Sequence, residues 1–167
     1  MKRNLFAVLC VALCCVLLLA SCGSQTPKQT APVSAEAFAD RYFRATSQLA
    51  PGTAGSSLRQ AQAEYEIVRF AADGDFANCD VPTMRDNMLA GWESLSADEQ
   101  AQFDEAFYGE GMWMTINALF ENYDEVKGVY EDAGVAEELA KLVKDENVKA
   151  SWDTLLANSF TMGNSES

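Results

Sequence analysis

The residue types that most often carry out chemistry at neutral pH are scarce in this chain. It has no histidine among its 167 residues, which removes the side chain that titrates nearest neutrality and the commonest transition-metal ligand. Ser-His-Asp and Cys-His nucleophilic catalysis are excluded with it, as are the common zinc patterns that need His or several Cys. Gly109-Glu110-Gly111 is too short to be a phosphate-cradling loop. What remains is a large stock of carboxylates, 25 Asp plus Glu against 12 Lys plus Arg.

Two arrangements of these acids could do work. Asp73, Asp75 and Asp80 flank Gly74, and carboxylates two residues apart can converge on a hard cation such as calcium. Counted from Asp73, however, the sixth position is Asn78 where a calcium loop needs Gly, and the twelfth is Met84 where it needs a bidentate Glu. Paired acids could also hydrolyse a glycosidic bond, one as acid and one as base. Asp98-Glu99, Asp104-Glu105, Asp124-Glu125 and Glu137-Glu138 alternate with apolar positions, as the wet faces of helices do. No residue is therefore assigned a catalytic role, no metal ligand is assigned and no cofactor is implied.

Among apolar residues, Met112-Trp113-Met114 follows two glycines and is the most suggestive cluster, because Met and Trp adapt to irregular ligands and partners. Helical spacing turns Met112 toward Ile116 and the core. Trp113 and Met114 fall off that stripe, where they either pack on a neighbouring helix or form a candidate contact surface. Cys79 is left without an internal disulfide partner once the amino-terminal cysteines are set aside. It is either a small buried hydrophobe or a site of intermolecular pairing.

The elements that must position these residues are helical. Ser34 is a candidate N-cap for a helix with Phe38, Tyr42, Ala45 and Leu49 on one face, ended by Pro51-Gly52. From about Ser57 a second helix presents Leu58, Ala61, Tyr65, Val68 and Ala72, widened by Ile67 and Phe70, and closes at Gly74. Asp73 to Asp80 is expected to be a loop. Pro82 suits the first turn of a helix carrying Met84, Met88, Trp92 and Leu95. Ser96 and Glu99 form a capping box for the next, with Phe103 and Phe107, which Gly109 and Gly111 interrupt. Met112, Ile116, Leu119, Phe120, Tyr123, Val126 and Tyr130 line one face of the longest helix, which Gly134 should terminate. Short helices around Leu139, Leu142 and Val143 and around Val148, Trp152, Leu155, Leu156 and Phe160 follow. The expected fold is an all-α bundle of about six or seven helices over 34–161, with a polar tail at 162–167.

The amino-terminal residues carry a different message. Met1-Lys2-Arg3-Asn4 is followed by Leu5 to Leu19 without a charge or strongly polar side chain, the n-region and h-region of an export signal. As a helix, that apolar run would cover about 22 Å, short of the roughly 30 Å hydrocarbon core of a membrane. Leu19-Ala20-Ser21-Cys22-Gly23 then resembles the lipobox of bacterial lipoprotein precursors. The resemblance covers only these first residues. It implies that Cys22 receives a diacylglyceryl group, that the Ser21–Cys22 bond is cut, and that residues 1–21 are a cleaved signal peptide. In such proteins the acyl chains hold the mature form at a membrane, two or more chains making the attachment durable. Gly23, in place of an aspartate after the lipidated cysteine, favours the outer membrane facing the periplasm in a two-membrane cell. In a single-membrane cell the protein would sit on the outer face of the cell membrane.

Residues 22–33, rich in Gly, Ser, Gln, Thr and Pro, have the composition of a flexible tether. The rest has the length of one ordinary domain. A net charge of −13, more negative once Lys2 and Arg3 leave, opposes binding to nucleic acid and electrostatic docking on anionic lipid. The expectation is a membrane-anchored envelope lipoprotein, a non-catalytic interaction or structural module with an envelope protein as partner. The alternatives are a helical bundle that binds a hydrophobic ligand and, behind it, a carboxylate-based hydrolase.

Overall fold

The computed structural model describes residues 32–47 and 57–159. The signal segment, Cys22, most of the tether, Leu49 to Gly52, Phe160 and the tail lie outside the described residues. Within them the fold is all-α, with seven helical segments and no strand. We number these α1 (35–47), α2 (Ser57–Gly74), α3 (Val81–Glu93), α4 (97–109), α5 (Met112–Asp132), α6 (Ala136–Leu142) and α7 (Glu146–Ser159); a 3₁₀ turn, Phe76–Asn78, joins α2 to α3. No helix among the described residues is long and apolar enough to cross a membrane.

The ends of these helices follow from side-chain chemistry. The Ser34 side chain accepts from the Ala37 N–H, and Asp80 accepts from Thr83 N–H ahead of Pro82 in the first turn of α3. At α4, Ser96 Oγ accepts from the Glu99 N–H while Glu99 reaches back to the Ser96 N–H, the reciprocal capping box. Gly134, at φ +73°, turns the chain after α5.

α2 is the central element, with α1, α5, α6 and α7 packed on it. Its Ala61, Ala63, Tyr65, Ile67, Val68, Phe70 and Ala71 are all buried. Beside it the rings of Phe38, Tyr42, Phe43, Phe70, Phe76, Phe103 and Phe107 form one continuous cluster, with neighbouring centroids about 5–6 Å apart in mostly edge-to-face or tilted pairs.

α1 and α4 each contain a π-helical stretch, Phe38–Phe43 and Glu105–Gly109. In the first the Arg44 N–H reaches the carbonyl of Ala39, and in the second Glu110 N–H reaches Glu105 O at 2.7 Å. The wider turn rotates the residues after it relative to an α-helix. Each stretch delivers two consecutive aromatic residues, Tyr42-Phe43 and Phe107-Tyr108, to the ring cluster.

Several expectations need correction. Asp73 to Asp80 is mostly not loop: α2 runs to Gly74 and the following 3₁₀ turn buries Phe76 completely. Leu58 is exposed at the start of α2. Val126 is 39 % exposed, although Tyr123 and Tyr130 on either side of it in the same stripe are buried; α5 also breaks helical geometry just ahead, at Asn122 (φ −136°, ψ 31°). The packed body also reaches into the segment expected to be tether, since the Val33 carbonyl accepts from Asn87 Nδ2 on α3 at 3.0 Å.

Where α1 crosses α3, Gly91 leaves room for only a hydrogen. A Cβ there would lie 2.7 Å from the Ala35 carbonyl oxygen and 3.0 Å from the Phe38 Cβ, both held by a neighbouring helix. Gly128, exposed in the second half of α5, has nothing within 4 Å of that position. Gly91→Ala should therefore destabilise the domain by about 1–3 kcal/mol despite its gain in helix propensity. Gly128→Ala should stabilise it by about 0.5–1 kcal/mol. Urea unfolding midpoints moving in opposite directions at constant slope would bear this out.

Candidate functional site

The three aspartates considered for calcium are not brought together. Asp73 Oδ2 is ion-paired with Arg41 at 2.7 Å and lies 3.9 Å from Arg69, while Asp80 Oδ2 is occupied by the Thr83 N–H and hydroxyl. Asp73 and Asp75 do share the wall of a surface cleft of about 480 Å³ with Asn78, Asp145, Asn147 and Ser151. No group of three or more acidic or thiol ligands placed to hold a metal occurs among the described residues. The cleft gathers negative charge between the 3₁₀ turn and the start of α7, and attracts cations without caging one.

The acid pairs are separated by their local tasks. Glu99 serves the α4 cap and accepts from Arg44 Nε at 3.0 Å, bonds that hold its carboxyl below the usual range. Asp104 stands at the start of the π-helical stretch of α4, where burial raises its pKa and Oδ1 is enclosed without a hydrogen-bond partner. Asp124 and Glu125 border a smaller cleft of about 240 Å³ at the Asn122 kink, together with Phe120, Tyr123 and Lys144.

The candidate contact residues divide. Trp113 is partly buried and packs against the core, whereas Met114 is 55 % exposed. Met114 folds its methyl group back over Gly111, where a Cβ would sit 2.4 Å from it, and Gly111 takes φ +69°. Met112 is buried, as its register with Ile116 requires.

Two polar constellations were not foreseen from the sequence. At the carboxyl end of α7, Ser159 Oγ donates to the Leu155 carbonyl at 2.8 Å, so the 3.0 Å contact with Tyr42 is a bond the phenol donates. Tyr108 donates to the Ser159 carbonyl at 2.7 Å. The tyrosines of both π-helical stretches thus meet on one residue.

The second is Glu64. Its side chain is only 3 % exposed, with Oε2 accepting from the Tyr130 phenol at 2.5 Å and Oε1 from Gln60 Nε2 at 2.9 Å. It has no ion-pair partner among the described residues. Burial pushes the carboxyl pKa up, partly offset by the two donors, and burial beside Glu64 pushes the Tyr130 phenol up as well. The sequence does carry a signal for it, because Glu64 lies three and four residues from Ala61, Ile67 and Val68, on the buried face of α2.

No family model, curated protein or solved structure matches this chain. Its chemistry has to be taken from its own residues. Among the described residues, surface acids serve caps and ion pairs, Asp104 has one enclosed oxygen, and the one nearly sealed carboxyl, Glu64, meets the buried Tyr130 phenol and the amide of the exposed Gln60.

Cys79 is half-buried, its thiol donating to the Phe76 carbonyl at 3.2 Å, and burial raises its pKa. Less thiolate is then present at neutral pH than in a free cysteine. Iodoacetamide should label it slowly at pH 7 in the folded chain, with the rate rising only above the ordinary thiol range, and unfolding in urea should abolish the delay.

Proposed function

We propose that this protein is a lipid-anchored bacterial envelope lipoprotein whose acidic helical domain is a non-catalytic interaction module. Leu19-Ala20-Ser21-Cys22-Gly23, following a charged start and an apolar run too short to span, carries the proposal. Cys22 is the lipid attachment site, and Ser21 the last residue removed. The acyl chains then hold a compact acidic body beside the membrane through the segment ahead of Val33. In a two-membrane cell, Gly23 favours the outer membrane, facing the periplasm, and in a single-membrane cell the protein sits on the outer face of the cell membrane.

The surface supports a protein partner in preference to nucleic acid. Its charge repels phosphate backbones, and Met114 offers an exposed, adaptable apolar side chain next to the core-packed Trp113. The interior is filled by aromatic rings, and the two clefts described above are lined largely by acids and amides. These features favour contact through the outside of the bundle over storage of an apolar ligand inside it.

Cys22→Ala tests the anchor. Cells fed an alkyne-tagged fatty acid should label the wild-type chain and not the variant, which should also fail to partition into detergent while keeping its helical circular dichroism. A variant that still carried lipid would refute the assignment. For the interaction, a photo-crosslinking amino acid in place of Met114 should yield a reproducible adduct with one envelope protein. Its failure to yield any adduct would count against that surface and leave the anchor unaffected.

A further inference from the structure

Beyond the kink at Asn122, the second half of α5 and the whole of α6 form one arm. Tyr123 donates to the Ala136 carbonyl at 2.6 Å, and the Val135 N–H reaches back to the Tyr130 carbonyl at 3.1 Å. The arm lies on α2 by burying Tyr123, Tyr130 and Leu139. Its buried polar attachment is Tyr130 to Glu64, 2.5 Å between the phenol and the carboxyl, and beside it Glu138 of α6 bonds Tyr65 of α2. A kinked helix with a tied-down end is the arrangement in which a few backbone dihedrals can absorb a movement of the whole arm.

We propose that Glu64 and Tyr130 form a proton-operated latch, fastening the arm (123–142) to α2 when Glu64 is neutral and loosening it when Glu64 is ionised. A carboxylate enclosed at 3 % exposure and served, among the described residues, by a phenol and an amide is better solvated when the arm lifts and water reaches it. The neutral acid has no such incentive: it still accepts from the Tyr130 phenol and can donate its own proton to the Gln60 amide, turned to offer its oxygen.

Among the described residues, the groups around Glu64 do not supply a compensating charge. On α2 itself its partner is Gln60. From α5 come Tyr130 and, behind it, Tyr123, with ring centroids 6.1 Å apart. From α6, Glu138 interacts with the neighbouring Tyr65, which also feels Arg69 and Glu66. On α7, Lys149 is paired with Asp153. On α1, Arg41 is paired with Asp73, about 13 Å along α2 from Glu64 at 1.5 Å per residue.

The sign follows from linkage. An acid whose pKa is higher with the arm closed than with it open stabilises closure fully at low pH. That contribution is lost as pH rises from the ordinary carboxylate range through the raised closed-state value. The closed-to-open ratio falls about tenfold for each pKa unit by which closure lifts the carboxyl.

Hydrogen exchange of the full chain, purified as cells make it and corrected for base catalysis of intrinsic exchange, tests the latch across roughly pH 4 to 8. Amides of 123–142 in the wild type should lose protection as pH rises, while those of α3 and α4 do not. Glu64→Gln, which keeps the shape and cannot ionise, should hold the arm's protection constant over the same range. Tyr130→Phe leaves the carboxyl one donor fewer and should enlarge the pH-dependent loss, which keeps the test decisive if Glu64→Gln does not fold. A wild-type arm indifferent to pH, a Glu64→Gln arm that responds as the wild type does, or an unchanged loss in Tyr130→Phe would overturn the proposal.

Discussion

α2 is enclosed by other helices along most of its length, and the rest of the bundle is arranged to satisfy that enclosure. A helix packed by α1, α5, α6 and α7 has to be apolar around much of its circumference, and α2 is, from Ala61 to Ala71. Its neighbours meet it with large rings, which contribute much buried area per residue and need few atoms of backbone to do so. Small residues then become necessary wherever two backbones approach, as at Gly91 under α1. Arg41 shows the same economy at the edge of the cluster, laying its guanidinium over the Phe70 ring at 5.2 Å while it pairs with Asp73.

Local chemistry was the most legible part of this fold. The caps at Ser34 and Ser96, Pro82 in a first turn and the stop at Gly134 depend on residues a few positions apart, and all stand where the spacing put them. The π-helical stretches were not legible, because burial of Phe38, Ala39, Tyr42 and Phe43 suits an α-helix and a wider turn equally well. Val126 shares its register with the buried Tyr123 and Tyr130 and is exposed nonetheless, because periodicity tells which face a residue occupies and not whether a neighbour covers it. Nothing near Asn122 announces the break in α5. Phe76 was lost in a stretch whose aspartates and glycine resemble a turn, although one buried ring suffices to fold it inward.

Sites made by distant residues were harder still. The Tyr42–Ser159 and Glu64–Tyr130 bonds join positions 117 and 66 residues apart, and no local pattern encodes such a meeting. The abundance of surface acids also hid the one that matters for the interior. Glu64 differs from them only in its register with Ile67 and Val68, a distinction that becomes visible once burial is examined face by face along the helix.

The hold of Asn87 on the Val33 carbonyl determines how the bundle would bear a mechanical load. A pull on the chain ahead of Pro32 is delivered first to α3, through a side-chain amide, and only afterwards along α1. α3 is in turn braced against α1 at the tight Gly91 crossing. Tension applied at that end is therefore shared between the Asn87 amide and the α1–α3 crossing, so that it falls on two elements and not on one helix terminus alone.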